Sequence, residues 1–214
     1  MLKQNSDSPL FIPGPVGQLE AILSTTEDSP PNVVGIICHP HPLHDGTMHN
    51  KVVTTVARAF RDLSITSIRF NYRGVGKSEG TYAEGIGETE DALAVIKWAE
   101  KKWPGSKIWL AGFSFGAFVS LRAATLSTNI AQLISIAPAV NHADFSDLHP
   151  HCPWLIIIAE KDTLVPANEI KQWAENLSPA PDVLSFPEAN HFFDGELVKL
   201  RQQLIEKLNH AHTL

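Results

Sequence analysis

Six short apolar runs recur along the chain without the strict alternation of a half-exposed sheet: Val33–Cys38, Ile65–Phe70, Lys107–Ala111, Gln132–Ile136, Trp154–Ala159 and Asp182–Phe186. Near-continuous apolar runs of this length suit strands whose sheet is covered on both faces. Between them the hydrophobic spacing changes to three and four. Met48–Arg61 follows Thr47 as a cap, and Glu88–Lys102 sets Leu93 and Ile96 against a charged side before Pro104-Gly105 ends it. Phe115–Leu126 is the most apolar helical segment. Ala167–Leu177 presents Ile170, Trp173 and Leu177, and the last helix repeats Leu197, Leu200, Leu204 and Leu208 on one side. Strands alternating with helices predict an α/β sandwich: a mostly parallel twisted sheet with helices on both faces. Ahead of it, Leu10–Pro13 and Gly17–Ser24 predict a short antiparallel pair around Gly14-Pro15. The polar residues 1–9 are expected to be flexible. Neither a repeat nor a long linker interrupts the pattern, so one domain over residues 1–214 is expected.

Composition narrows the partners more than the fold. The chain is 43% hydrophobic and 19% charged, with a mean hydropathy of −0.04 and a formal net charge of −6. That charge opposes binding to a nucleic-acid backbone or an anionic membrane. The apolar runs are strand-length, too short to cross a bilayer. Two cysteines, Cys38 and Cys152, fall short of a disulfide framework, and the polar start has no apolar leader segment. The expected location is the reducing cytoplasm, and a two-fold dimer is the base-rate assembly.

In a parallel α/β sheet, functional residues gather beyond the carboxyl ends of the strands. The sequence concentrates its chemistry there. Gly112-Phe113-Ser114-Phe115-Gly116 is a G-x-S-x-G placed between the strand ending at Ala111 and the apolar helix. At such a turn the serine projects above the sheet, and only small residues fit on either side. A serine hydroxyl needs a base, and the base needs an orienting carboxylate. His191 follows the last strand and Asp162 follows Trp154–Ala159, giving the chain order Ser, Asp, His; Glu160 is the rival acid. The competing readings are a capping Gly/Ser turn, a structural loop histidine and a helix-approach aspartate.

The loop Cys38–Met48 is placed to complete an oxyanion hole with the Phe115 N–H. Pro40 and Pro42 cannot donate, which leaves His41 or Leu43 as the second donor. His39, His41, His44 and His49 also crowd this loop, but without an H-E-x-x-H pattern they read as a polar loop rather than a metal site. His142, His149 and His151 form a second, incidental group. Arg73-Gly74-Val75-Gly76-Lys77-Ser78 lacks the first glycine of a phosphate-binding loop, since Asn71 stands in that place. Asn71, Tyr72 and Arg73 read as scaffold. Phe113, Phe115, Phe192 and Phe193 line either an acyl pocket or the core, while Trp98, Trp103 and Trp173 read as packing.

These segments together resemble the α/β-hydrolase superfamily, in a small, lid-poor bacterial branch related to dienelactone-hydrolase-like and serine-aminopeptidase-like proteins. The marks are Cys38-His39-Pro40-His41-Pro42-Leu43-His44-Asp45-Gly46-Thr47-Met48, Arg69-Phe70-Asn71-Tyr72-Arg73-Gly74-Val75-Gly76-Lys77-Ser78, the G-x-S-x-G and Asn190-His191-Phe192-Phe193. By that resemblance Ser114 matches the nucleophile, Asp162 the acid and His191 the base. Asp45 departs from the pattern, because relatives tend to carry a second glycine beside Gly46. Only 17 residues separate Ile136 from Trp154, enough for a short helix but not for a lid. The expected activity is serine hydrolysis of small carboxylic esters or thioesters through an acyl-enzyme, with no cofactor and no metal. The alternatives are an aminopeptidase or other amide hydrolase, with Asp144, Asp147 or Glu188 capturing an amine, and a binding protein that retains the fold without catalysis.

Overall fold

A computed structural model describes residues 6–26 and 30–212. Its strands are β1 (Ser6–Gly14), β2 (Gly17–Thr25), β3 (Val33–Cys38), β4 (Thr66–Phe70), β5 (Lys107–Phe113), β6 (Ile130–Ile136), β7 (Trp154–Ala159) and β8 (Asp182–Phe186). Its helices are α1 (Lys51–Asp62), α2 (Ile86–Lys102), α3 (Phe115–Leu126), α4 (Ala167–Glu175) and α5 (Leu197–His212). The strands form one eight-stranded sheet in the order β1-β2-β4-β3-β5-β6-β7-β8. The β1–β2 and β2–β4 pairs are antiparallel and all others parallel, so the carboxyl ends of β3 to β8 share one edge. This is the expected α/β-hydrolase sandwich.

Each face has its own apolar layer. On one, α2, α3 and α4 cover Ile36, Leu110 and Ile156; on the other, α1 and α5 cover Ile37, Ala111 and Ile157. Alternate residues of the same strands enter opposite layers, which is why the runs are apolar without interruption. The Leu200, Leu204 and Leu208 stripe of α5 is buried, at roughly 2 kcal/mol of hydrophobic stabilisation per leucine. β8 is the exception among the parallel strands. It lies at the sheet edge, and Val183 is exposed.

Several boundaries differ from the sequence expectation, each for a local reason. β1 starts at Ser6, because Ser6–Pro9 pair with Ile22–Thr25; the expected flexible start therefore overlaps a strand, and residues 1–5 lie outside the described residues. α1 starts at Lys51 rather than Met48. Asn50 is its cap, accepting from the Val52 N–H at 2.9 Å, while Thr47 accepts from the His49 N–H in the preceding turn. α2 starts at Ile86 because the buried Glu88 carboxylate reaches back to the N–H groups of Gly85 and Ala83, at 2.7 and 2.8 Å. Between β6 and β7 the chain makes turns only; the room for a short helix is not used, and no lid covers the sheet edge among the described residues.

Candidate active site

Ser114 stands between β5 and α3 with φ +56° and ψ −117°, a sparsely populated conformation for a non-glycine residue that costs about 1–3 kcal/mol. The turn closes so tightly that a Cβ on Gly112 would stand 2.1 Å from the Gly116 carbonyl oxygen, and one on Gly116 2.3 Å from that of Cys38. Both glycines are required by close approach of backbone, as the pentapeptide implied. The Ser114 N–H is itself tied to the Ile136 carbonyl at the end of β6.

Asp162 and His191 come from adjacent loops that are laced together by backbone bonds. The N–H groups of Glu160 and Lys161 donate to the carbonyls of Phe186 and Ala189, at 3.0 and 2.9 Å. Asp162 Oδ1 accepts from the Leu164 and Val165 N–H groups at 2.8 and 2.9 Å, which fixes the carboxylate plane. Its Oδ2 accepts from His191 Nδ1 at 2.6 Å, and Ser114 Oγ lies 3.0 Å from His191 Nε2. A carboxylate acceptor at Nδ1 sets the tautomer: Nδ1 carries the proton, and the Nε2 lone pair faces the serine hydroxyl. Both Asp162 and His191 are buried. The rival Glu160 points elsewhere, since Lys171 holds it at 2.8 Å and keeps its carboxyl below the usual range. The three side chains singled out in the sequence thus converge over one edge of the sheet.

The loop after β3 lies against the start of α3. His39 is fully buried; its Nδ1 donates to the Pro40 carbonyl at 2.7 Å and its Nε2 accepts from the Tyr72 N–H at 3.1 Å. Burial pushes its pKa down to about 3, against a smaller opposing effect of the Pro40 carbonyl. His39 is therefore a neutral strut between two loops. His41 stacks near the Phe115 ring at 4.7 Å, and its Nδ1 accepts from the Leu43 N–H at 3.2 Å. That bond occupies one of the two candidate donors. The N–H groups of His41 and Phe115 have no acceptor among the described residues. Asp45 takes the left-handed conformation at φ +58°, a region Asp tolerates better than most residues.

The remaining candidates separate by burial. Phe113 and Phe193 are core residues, the latter against Phe186 at 5.5 Å, so they do not form an open acyl pocket. Phe115 borders the His41 ring, and Phe192 is exposed beside His191. Trp98 and Trp103 pack edge to face, as do Trp154 and Trp173. Asn71 holds the Met48 N–H and Glu20, and Arg73 forks onto the buried Asp91; both are scaffold, as expected. Among the described residues, no three His, Cys, Asp or Glu side chains are grouped as a metal would need.

Two contacts were not anticipated. The Tyr82 hydroxyl meets His41 Nε2 at 3.2 Å, and Lys51 pairs with Asp194 while lying over the Phe192 ring. Asn190 completes this second contact: its Oδ1 accepts from the N–H groups of Phe192 and Asp194 at 3.1 Å. The sequence signal for it was Asn190 two residues before an aromatic and four before an aspartate, an Asx-type turn.

A serine raised on a strand-to-helix turn, followed along the chain by the aspartate and then the histidine, belongs to one class of enzymes. The chain is a member of the α/β serine hydrolases: residues 41–152 match the Hydrolase_4 family, described as serine aminopeptidase, S33. It is similar to XC6422 from Xanthomonas campestris, described as a serine hydrolase without a lid, with 42% identity, TM-score 0.91 and coverage of 96% of this chain and 94% of that one. An α/β serine hydrolase homologue from Coxiella burnetii shares 44% identity at TM-score 0.90, over 97% and 99% of the two chains. An uncharacterized protein of Rickettsia prowazekii, RP471, is 34% identical over 86% of this chain and 81% of its own length.

Proposed function

We propose that this hydrolase cleaves small carboxylic esters or thioesters through an acyl-enzyme, in the reducing cytoplasm where both cysteines persist as free thiols. The observation that carries the reading is the Ser114–His191–Asp162 relay, with contacts of 3.0 and 2.6 Å. His191 Nε2 takes the hydroxyl proton as Ser114 Oγ attacks the acyl carbon. Asp162 steadies the imidazolium without taking that proton. The N–H groups of Phe115 and His41 receive the negative oxygen; His41 is preferred to Leu43 because the Leu43 N–H is already committed to the His41 ring. His191 then returns the proton to the leaving alkoxide or thiolate. A water deprotonated by the same nitrogen attacks the acyl-enzyme, releasing the acid and restoring Ser114.

Two of the three acids named for capture of an amine terminus are already engaged, which supports ester over aminopeptidase chemistry. Glu188 is paired with Lys161, and the Asp144 carboxylate accepts from both the hydroxyl and the N–H of Ser146. The uncovered sheet edge suits short acyl groups, because a long chain would remain in water. The test is steady-state kinetics on p-nitrophenyl esters of increasing acyl length beside matched aminoacyl p-nitroanilides. The expected outcome is a kcat/KM that is highest for acetate to butyrate and negligible for the anilides. A preference for the anilides overturns the substrate assignment.

A further inference from the structure

Away from Ser114, helix α1 and the antiparallel edge of the sheet enclose a cavity of about 220 Å³ lined by Asp7, Ser24, Thr54, Arg58, Arg61 and Arg69. Arg58 and Arg61 are three residues apart on α1 and so share a helix face. Arg69 enters from β4, where it is the one charged residue of a fully buried strand. It is 6% exposed. One amino nitrogen donates to Asp7 Oδ2 at 3.1 Å and the other reaches the Met48 carbonyl at 3.5 Å, but its buried Nε–H has no partner among the described residues. That nitrogen has no accessible surface, so a ligand in the cavity would be met by Arg58, Arg61 and the amino groups of Arg69 rather than by it.

The nearby acids do not supply the missing charge. Among the described residues Asp7 is the one carboxylate lining the cavity, and it is already shared between Arg69 and the Ser24 hydroxyl, the latter at 2.6 Å. Asp62 at the end of α1 is forked onto Arg201 instead. Among the described residues three arginines therefore line the cavity with one carboxylate, in a chain whose net charge is −6. Burial lowers the pKa of Arg69; Asp7 opposes this, while Arg58 and Arg61 add to the lowering.

We propose that this cavity binds a phosphate group, carried by inorganic phosphate or by a small phosphomonoester. The surplus of two positive charges matches the roughly −1.5 to −2 carried by phosphate near neutral pH. Guanidiniums arriving from a helix and from a strand suit a tetrahedral dianion better than a planar monoanion, which one fork would satisfy. The volume leaves space for a few carbon atoms beside the anion and excludes a polymer.

Titration calorimetry on the full chain at low, matched ionic strength tests this with inorganic phosphate, glycerol 1-phosphate, acetate and chloride. Two-dimensional NMR of arginine Nε–H groups follows the same additions. The expected result is one-to-one binding of a phosphate ligand, a shifted Arg69 Nε–H signal and affinity at least about tenfold weaker in R58A/R61A, whose changes lie at the surface end of the cavity. Tighter binding of glycerol 1-phosphate than of inorganic phosphate identifies a phosphomonoester as the ligand, and the reverse identifies the free ion. Circular dichroism checks that the double variant is folded. Equal affinity in wild type and variant, acetate binding as well as phosphate, or neither heat nor shift in wild type would each overturn the proposal; the last is also what a cavity filled by the chain's own carboxylates would give.

Discussion

The two loops that face Ser114 share buried anchors and differ in what is added at the surface. The loop after β3 is anchored from inside: His39 is buried and spends both ring nitrogens on backbone groups, and Gly116 lets α3 approach its carbonyls. The loop carrying His191 is anchored inside by Ala189 and Phe193 and tied through the Ala189 carbonyl to the Asp162 loop, and it adds a surface latch of Lys51, Asp194 and Asn190. The difference matches the work each loop would do in the proposed reaction. Oxyanion donors gain from being fixed before charge develops. A base must accept a proton on one side and return it on another, and tolerates small motion.

The comparison breaks most dramatically at the carboxylate. In Asp162→Asn the Leu164 and Val165 N–H groups would hold the amide oxygen, turning the amide NH2 toward Nδ1 and forcing the proton onto Nε2, and kcat is expected to fall by about 10⁴ at neutral pH. Glu160→Gln, measured alongside on the same ester, is expected to stay within a few-fold, because Glu160 is held by Lys171. Equal losses in the two variants would return the acid role to Glu160.

Next comes the buried strut. Removing the His39 ring with His39→Leu strands the Tyr72 N–H and the Pro40 carbonyl, at a cost of about 2–4 kcal/mol in urea unfolding at pH 7. The pH dependence has a definite sign. Folding holds His39 neutral down to about pH 3, whereas the unfolded chain protonates it near 6.5. Its contribution is therefore complete above about pH 6.5 and is lost toward pH 3, at up to ~1.4 kcal/mol per pH unit. His39→Leu should be less stable at pH 7 yet show a shallower acid limb than wild type; parallel limbs would deny His39 this part.

The surface latch should matter least. Lys51 and Asp194 are both well exposed, so Lys51→Ala is expected to cost under about 1 kcal/mol in stability and a few-fold in kcat. The kcat effect should shrink in high salt as the wild-type pair is screened. A hundredfold loss would mean that the base loop is as rigidly required as the other.

Much of this was readable from residue order alone, and what was not has physical causes. Ser114, Asp162 and His191 were legible because the turn, the strand ends and the chain order constrain one another. The choice between His41 and Leu43 was not, since it depends on an imidazole folding back on the N–H two residues ahead. Thr47 and Asn50 are both competent caps, and only the path of the turn decides between them. Phe192 and Phe193 are adjacent and chemically alike, yet one is exposed and the other enters the core. The arginine in Ile65–Phe70 was visible as a charge in an apolar run, but its neighbours come from α1, β1 and β2.

The most direct test of the account is covalent labelling of the native protein with a fluorophosphonate, read by intact mass and peptide mapping. The account predicts a single adduct, located on Ser114, absent from Ser114→Ala and slowed at least about a thousandfold in His191→Ala. An adduct that forms at the same rate without the imidazole, or that maps to another residue, would contradict it.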